Sequence, residues 1–246
     1  MNQQNEIVSA QGLPDSVRLV LFDFDGTLVF HKPDSFDVIS AFCADIGQPL
    51  DAKAERQGRR MRHEYFVDPD IREELRAFSP DEFWQHFNRY LLEAIGIQGD
   101  LEELARKVTA QFQNVDLVYD CPQAGCQTLA ELRDRGYALG LITNRDNVAR
   151  FHELLDQMVL RAHFDLTLAS GEVGIRKPEP GIFYAALERL GAQADESIYV
   201  GDNYWADVVG ADRAGLTPVL LDPYRLFPEA TCLTLARIDD LLAWLP

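Results

Sequence analysis

Two acidic residues, two positions apart, close an apolar run near the N-terminus. Val17, Leu19, Val20, Leu21 and Phe22 are followed by Asp23-Phe24-Asp25-Gly26-Thr27. In an extended chain alternate side chains share a side, so Asp23 and Asp25 point one way and Phe24 the other. Two carboxylates that close repel unless one takes a proton or a cation lies between them. Gly26 permits a turn and a close approach of its backbone N–H to a ligand. An Asp-Gly pair is also a common solvated turn at a strand end. Further candidates follow later apolar runs: Thr143-Asn144, Lys177-Pro178, and Gly201-Asp202 with Asp207 five positions on. Taken singly, a lysine before proline is usually a surface residue, and Asp207 fits an acid in the first turn of a helix, where the macrodipole favours it.

These residues need a frame that brings them together. Apolar runs over residues 17–22, 137–143, 164–170, 197–200 and 218–222 predict buried strands, the first four delivering polar residues at their C-terminal ends. Helical patterns lie between them, such as 122–135 closed by Gly136 and 179–190 closed by Gly191. Strands alternating with helices predict an α/β fold, a Rossmann-like doubly wound parallel sheet. Ligands of such sheets bind beyond the carboxyl ends of the strands, where the polar residues above stand.

Residues 31–116 break the alternation, with amphipathic helices and no convincing strand. One helix is predicted over 34–46, stopped by Gly47; a second opens with the capping box Ser79 to Glu82 and Pro80; a third follows Asp100. This segment reads as a helical cap inserted after the first strand, with residues 16–30 and 117–246 forming the core. Within it, Arg56, Arg59, Arg60 and His63 share a helical face. That face either attracts an anionic leaving group or pairs with acids of the core. Phe83, Trp84, Phe87 and Tyr90 read as packing inside the cap.

The chain has 246 residues, 47% hydrophobic and 26% charged, which suits one generous soluble domain or a core with one insertion. Its formal charge of −17 argues against a nucleic-acid surface or an anionic membrane as partner. Residues 1–15 are polar, without the pattern of a secretory signal, and no apolar run reaches membrane-spanning length. Cys43, Cys121, Cys126 and Cys232 form no CxxC pair, so neither a zinc site nor a disulfide framework is predicted, and a reducing cytoplasm is expected.

In order, Asp23 to Thr27, Thr143-Asn144, Lys177-Pro178 and Gly201 to Asp207 resemble the four motifs of the haloacid dehalogenase superfamily in its phosphatase form. The insertion sits where subgroup I caps are placed. The resemblance implies hydrolysis of a small phosphorylated metabolite by a monomer or homodimer. A phosphate monoester dianion repels nucleophiles, so attack by a carboxylate needs a cation on both partners, and Mg²⁺ suits the hard oxygen donors present. As the resemblance implies, the metal would be held by Asp23, the Asp25 backbone carbonyl and Asp202. Asp23 would be the nucleophile, forming an aspartyl-phosphate, and Asp25 the acid and then the base. The Thr143 hydroxyl, the Asn144 backbone N–H and Lys177 would bind the phosphate. Gly26 and Thr27 would support the site, and Asp207 would hold a metal-bound water or orient Lys177.

Asp25 disfavours dehalogenation, because a departing halide needs no proton. A phosphonatase would need a cap lysine, for which Lys32, Lys53 and Lys107 are the candidates. A phosphomutase would share every core residue. Phe30 and His31 stand where many subgroup I phosphatases carry an acid and a serine, so the best-known phosphoglycolate-type substrates do not transfer; Phe30 is expected to pack at the hinge. The competing class is a phosphorylatable receiver-type module, which has no inserted cap, and after it a non-catalytic binding protein.

Overall fold

A computed structural model describes residues 12–75, 78–115 and 118–246. Residues 1–11, which dominate the reading of the N-terminus, and 116–117, where the predicted inner boundary falls, lie outside these. The chain divides into two compact units: the segment up to Phe30 with Cys121–Pro246, and His31–Asp120.

The first unit is built on a six-stranded sheet. Its strands are β1 (Leu19–Phe22), β4 (Ala138–Thr143), β5 (Leu166–Ala169), β6 (Ser197–Gly201), β7 (Thr217–Leu221) and β8 (Leu233–Leu235). They run in the order β5-β4-β1-β6-β7-β8, and every adjacent pair is parallel. All four residues of β1 are buried, as a central strand covered on both faces requires. Phe22 stands level with Leu141 and with Val200, so Thr143 and Asp202 stand one residue beyond the level of Asp23.

Helices lie between these strands, among them α6 (Gln123–Asp134), α7 (Val148–Gln157), α8 (Ser170–Val173) and α9 (Pro180–Leu190). Helix α9 has proline at its first position and ends at Gly191 in the left-handed conformation, the asymmetry read from the sequence. Its Ile182, Phe183 and Ala186 pack with Leu19, Leu21 and Tyr199 in one apolar layer. After β6 the chain turns through a π-helical stretch, Tyr204–Val209, into α10 (Gly210–Arg213). The Asn203 side chain caps that stretch, accepting from Trp205 N and Ala206 N at 3.1 and 3.0 Å.

The second unit contains α1 (Ser35–Asp45), α2 (Ala52–Tyr65), α3 (Pro69–Leu75), α4 (Pro80–Ala94) and α5 (Leu101–Gln113). Asp34, Asp51 and Asp100 cap α1, α2 and α5, and the Ser79–Glu82 capping box forms in both directions. Phe36, Phe42, Tyr65, Phe87 and Leu91 belong to its apolar core, and Asn88 donates to Thr109 at 2.9 Å inside it.

Several expectations are corrected. The segment is not free of strands: β2 (Phe30–Lys32) pairs with β3 (Val118–Asp120) as a two-stranded ribbon, each strand too short to show a period. The compact unit accordingly ends at Asp120. Phe30 is 38% exposed and does not pack away. Arg59 and His63 are buried. Arg59 donates to Glu55 at 2.9 Å and reaches Asp34 at 3.3 Å, both acids of the insertion itself. Its guanidinium also lies 4.6 Å from the centre of the Phe36 ring. Trp84 is 47% exposed, although its ring touches Phe87; the aromatic stripe therefore ends in solvent.

Candidate active site

The loop after β1 is tied down by its own backbone. Asp23 N continues the ladder to Val200 O at 2.9 Å, Gly26 N donates to Val29 O at 2.9 Å, and Leu28 and Val29 N both donate to Phe24 O. Phe24 is fully buried, as the alternation predicts, against Phe151. Gly26 has φ of +82°, and a β-carbon there would lie 2.3 Å from Asp202 Oδ2. Only a residue without a side chain permits both the turn and that approach. Thr27 is buried beside these residues in sequence, and its Oγ1 has no hydrogen-bond partner.

Lys177 occupies the centre of the site and is 3% exposed. Its ammonium has three protons and three partners: Asp23 Oδ1 at 2.5 Å, Asp207 Oδ1 at 2.6 Å and the Tyr199 hydroxyl at 2.8 Å. Burial pulls the lysine pKa down, but Asp207 and Asp23 outweigh it and hold the value well above the ordinary one. Tyr199 stays a neutral phenol, its pKa raised chiefly by burial, and its hydroxyl donates to Ile142 O at 3.1 Å. Burial pushes Asp23 up, Lys177 pulls it back, and Asp207 and Asp25 push it up again, to about 7. One ammonium is too little positive charge for the acids gathered here.

Asn144 serves Lys177 through its side chain. Its Nδ2 donates to Lys177 O at 2.9 Å and its Oδ1 accepts from Lys177 N at 2.8 Å, a two-point clamp on the lysine backbone. Thr143 is buried at the end of β4, paired in register with Ala169. Asp207 uses both oxygens, Oδ2 accepting from Asn203 N at 2.9 Å. That places it both in the first turn after β6 and against Lys177. Gly201 makes room for it, since a β-carbon there would stand 2.3 Å from Asp207 Oδ2. A π-turn carrying a site residue fits the usual placement of such turns.

Asp23, Asp202 and Asp207 each present a carboxylate oxygen within 4.8 Å of the others. A hard cation with oxygen ligands suits that set, and it would supply the charge that Lys177 alone does not. The side chain of Asp25 is turned elsewhere. Its Oδ2 accepts from Arg145 Nε at 2.8 Å and its Oδ1 from Arg145 Nη2 at 2.6 Å, a bidentate pair. The Arg145 guanidinium lies 5.3 Å from the Phe24 ring centre, next to the loop it grips.

Arg145 and Tyr199 are absent from the residues singled out in the sequence. Arg145 directly follows Thr143-Asn144, a charged side chain at a strand end. Tyr199 has its hydroxyl two positions before Gly201, on the same side of β6. The lysines of the insertion do not form a comparable centre: Lys32 pairs with Asp120, Lys107 with Glu103, and Lys53 is exposed.

With this geometry in hand, the chain matches the family profile of the haloacid dehalogenase-like hydrolases over residues 17–215, and it belongs to that family. It is 35% identical over 235 residues to glyceraldehyde 3-phosphate phosphatase of Methanothermobacter thermautotrophicus, covering 92% of this chain and 96% of the relative. The enzyme of the same name from Methanopyrus kandleri is 30% identical over 211 residues, covering 82% and 83%. The solved structure of the hydrolase YfnB from Bacillus subtilis, itself bound to magnesium, has a TM-score of 0.58 at 19% identity, covering 92% of this chain and 97% of that one. That likeness is one of fold. Among the described residues no helix is long and apolar enough to cross a membrane.

Proposed function

We propose that this hydrolase of phosphoric monoesters depends on Mg²⁺ and acts on a small phosphorylated metabolite through a covalent intermediate on Asp23. The observation that carries the reading is the buried Asp23 carboxylate, held by Lys177 at 2.5 Å with Asp202 and Asp207 beside it. The relatives named for glyceraldehyde 3-phosphate support a substrate of that size. Mg²⁺, when bound by Asp23, Asp202 and the Asp25 carbonyl, supplies charge neutralisation between two anions.

An oxygen of Asp23 attacks phosphorus, the ester oxygen leaves, and Asp25 gives it a proton. Asp25 then takes a proton from the water that attacks the aspartyl-phosphate, which releases inorganic phosphate and restores Asp23. For the first proton transfer one oxygen of Asp25 must leave Arg145, while the bond to the other keeps the carboxyl aimed. Lys177 acts on Asp23 and not chiefly on the phosphate, because its three protons already have partners. Asn144 aims Lys177, while the Thr143 hydroxyl, the orphaned Thr27 hydroxyl and loop N–H groups remain for the phosphoryl oxygens. The absence of a buried lysine among the three of the insertion favours ester over phosphonate cleavage.

The test is a panel of phosphorylated metabolites, triose phosphates and phosphoserine included, assayed for phosphate release with Mg²⁺ and with a chelator. Magnesium-dependent release, abolished in Asp23→Asn, is expected. Release that persists undiminished without divalent cations, or in Asp23→Asn, overturns the reading.

A further inference from the structure

Cys121 is the first residue of the sheet unit after the insertion, and Cys126 is the fourth residue of α6. Pro122 is the N-cap of that helix, so the two cysteines stand at N′ and N4. Those positions meet across the first turn of a helix and are where apolar side chains commonly form a hydrophobic staple. Here they bring two sulfurs together, with Sγ to Sγ of 2.9 Å. Both side chains are partly exposed and neither is in a disulfide, whereas Cys43 is buried. A disulfide bond of about 2 Å needs only a short closing movement from this arrangement.

We infer that Cys121 and Cys126 are a redox modification site, a dithiol that a hydroperoxide converts reversibly to an intramolecular disulfide. One thiol gives up its proton and attacks hydrogen peroxide, breaking the O–O bond to give a sulfenic acid and water. The second thiol then displaces hydroxide from that sulfur, and the S–S bond forms with release of a second water. The peroxide is reduced by two electrons, taken from the two sulfurs, and a dithiol reductant reverses the change.

The pair borders the loop that carries Asp23 and Asp25. A β-carbon at Gly125 would lie 3.5 Å from Cys121 Sγ on one side and 3.8 Å from Leu28 O on the other. A bond between the sulfurs would fasten the segment arriving from the insertion to the first turn of α6.

The full chain is reduced, freed of thiols, treated with hydrogen peroxide, alkylated and digested with trypsin. Residues 108–133 form one tryptic fragment holding both cysteines. The expected result is loss of both alkylation sites from this fragment, with a mass two hydrogens below the reduced form. Dithiothreitol should restore both sites. Cys121→Ser and Cys126→Ala, made separately so that one well-folded variant suffices, should each leave the remaining cysteine alkylatable or singly oxidised. Two alkylated cysteines after peroxide, oxidation to separate sulfinic acids, or a link from either residue to Cys43 or Cys232 overturns the proposal.

Discussion

Arg145 holds Asp25 by two hydrogen bonds, 2.8 and 2.6 Å long, on side chains 120 positions apart in the chain. A planar guanidinium fixes both the direction and the rotation of a carboxylate, which a single bond cannot do. If Arg145 acts only through Asp25, the two residues must behave as one unit. Arg145→Met is expected to lower kcat on an alkyl phosphate about tenfold and Asp25→Asn about 10²- to 10³-fold, the scale of general acid–base catalysis. The double variant should be no slower than Asp25→Asn alone. Additive losses in that cycle would mean that Arg145 touches substrate itself.

The leaving group separates the two tasks of Asp25. An aryl phosphate departs without a proton, so Asp25→Asn should slow its conversion to the aspartyl-phosphate far less than that of an alkyl phosphate. Single-turnover rates with both esters measure the difference. Equal losses on both would remove the acid from the mechanism.

Lys177→Met is expected to cost both activity and fold stability, because it leaves Asp23 and Asp207 buried without their ammonium. Breaking a buried pair by removing one partner costs about 3–5 kcal/mol. Asp23→Asn should cost less, since Lys177 keeps Asp207 and Tyr199. Urea unfolding of the three proteins checks the order.

Gly26→Ala puts a β-carbon 2.3 Å from Asp202 Oδ2 at a φ of +82°. The backbone strain alone is worth about 1–2 kcal/mol, and Asp202 has to move. The expected sign is a loss of the Mg²⁺-dependent rise in unfolding temperature, shared by Asp202→Asn. A full magnesium shift in both variants would place the cation elsewhere.

His63 in the insertion is buried, and desolvation first, then the Arg62 charge, lowers its pKa from 6.5 to about 3. The unfolded chain takes a proton there below pH 6.5 while the folded chain does not until pH falls to about 3. Stability is therefore complete above pH 6.5 and declines as pH falls towards 3, with a slope of about 1.4 kcal/mol per pH unit from this one group. His63→Gln should flatten the curve by that amount in denaturation between pH 6.5 and 4.5. An unchanged slope would mean that the imidazole is protonated in the fold.

What the sequence made legible followed from short-range pattern. Asp23, Thr143 and Asp202 stand at the ends of apolar runs, and parallel strands place such ends on one edge. Asp34, Ser79 and Asp100 announced their helices at the capping position, which is local chemistry. Other features needed partners distant in sequence. The Arg145 pairing requires the turn of the Asp23 loop, and the burial of Arg59 requires Asp34, 25 positions away. Tyr199 read as one more apolar strand residue because its hydroxyl partners, Lys177 and Ile142, come from other strands and loops. β8 and the ribbon strands have three residues each, and the seven-residue sequence of α3 contains too few apolar residues for a period to emerge.

The register of β1 with β4 and β6 has a consequence for how this chain can change in length. Side chains alternate along each strand, so losing one residue inside β1 would bring a phenylalanine to the place of Asp23 while the sheet still paired. A deletion in β6 would likewise carry Asp202 out of step with Gly26. Insertions of many residues in the outer connections leave that phasing intact. Tolerance to insertion and deletion should therefore be set by distance from these three strands, and a folded but inactive protein is the signature of a slip within them.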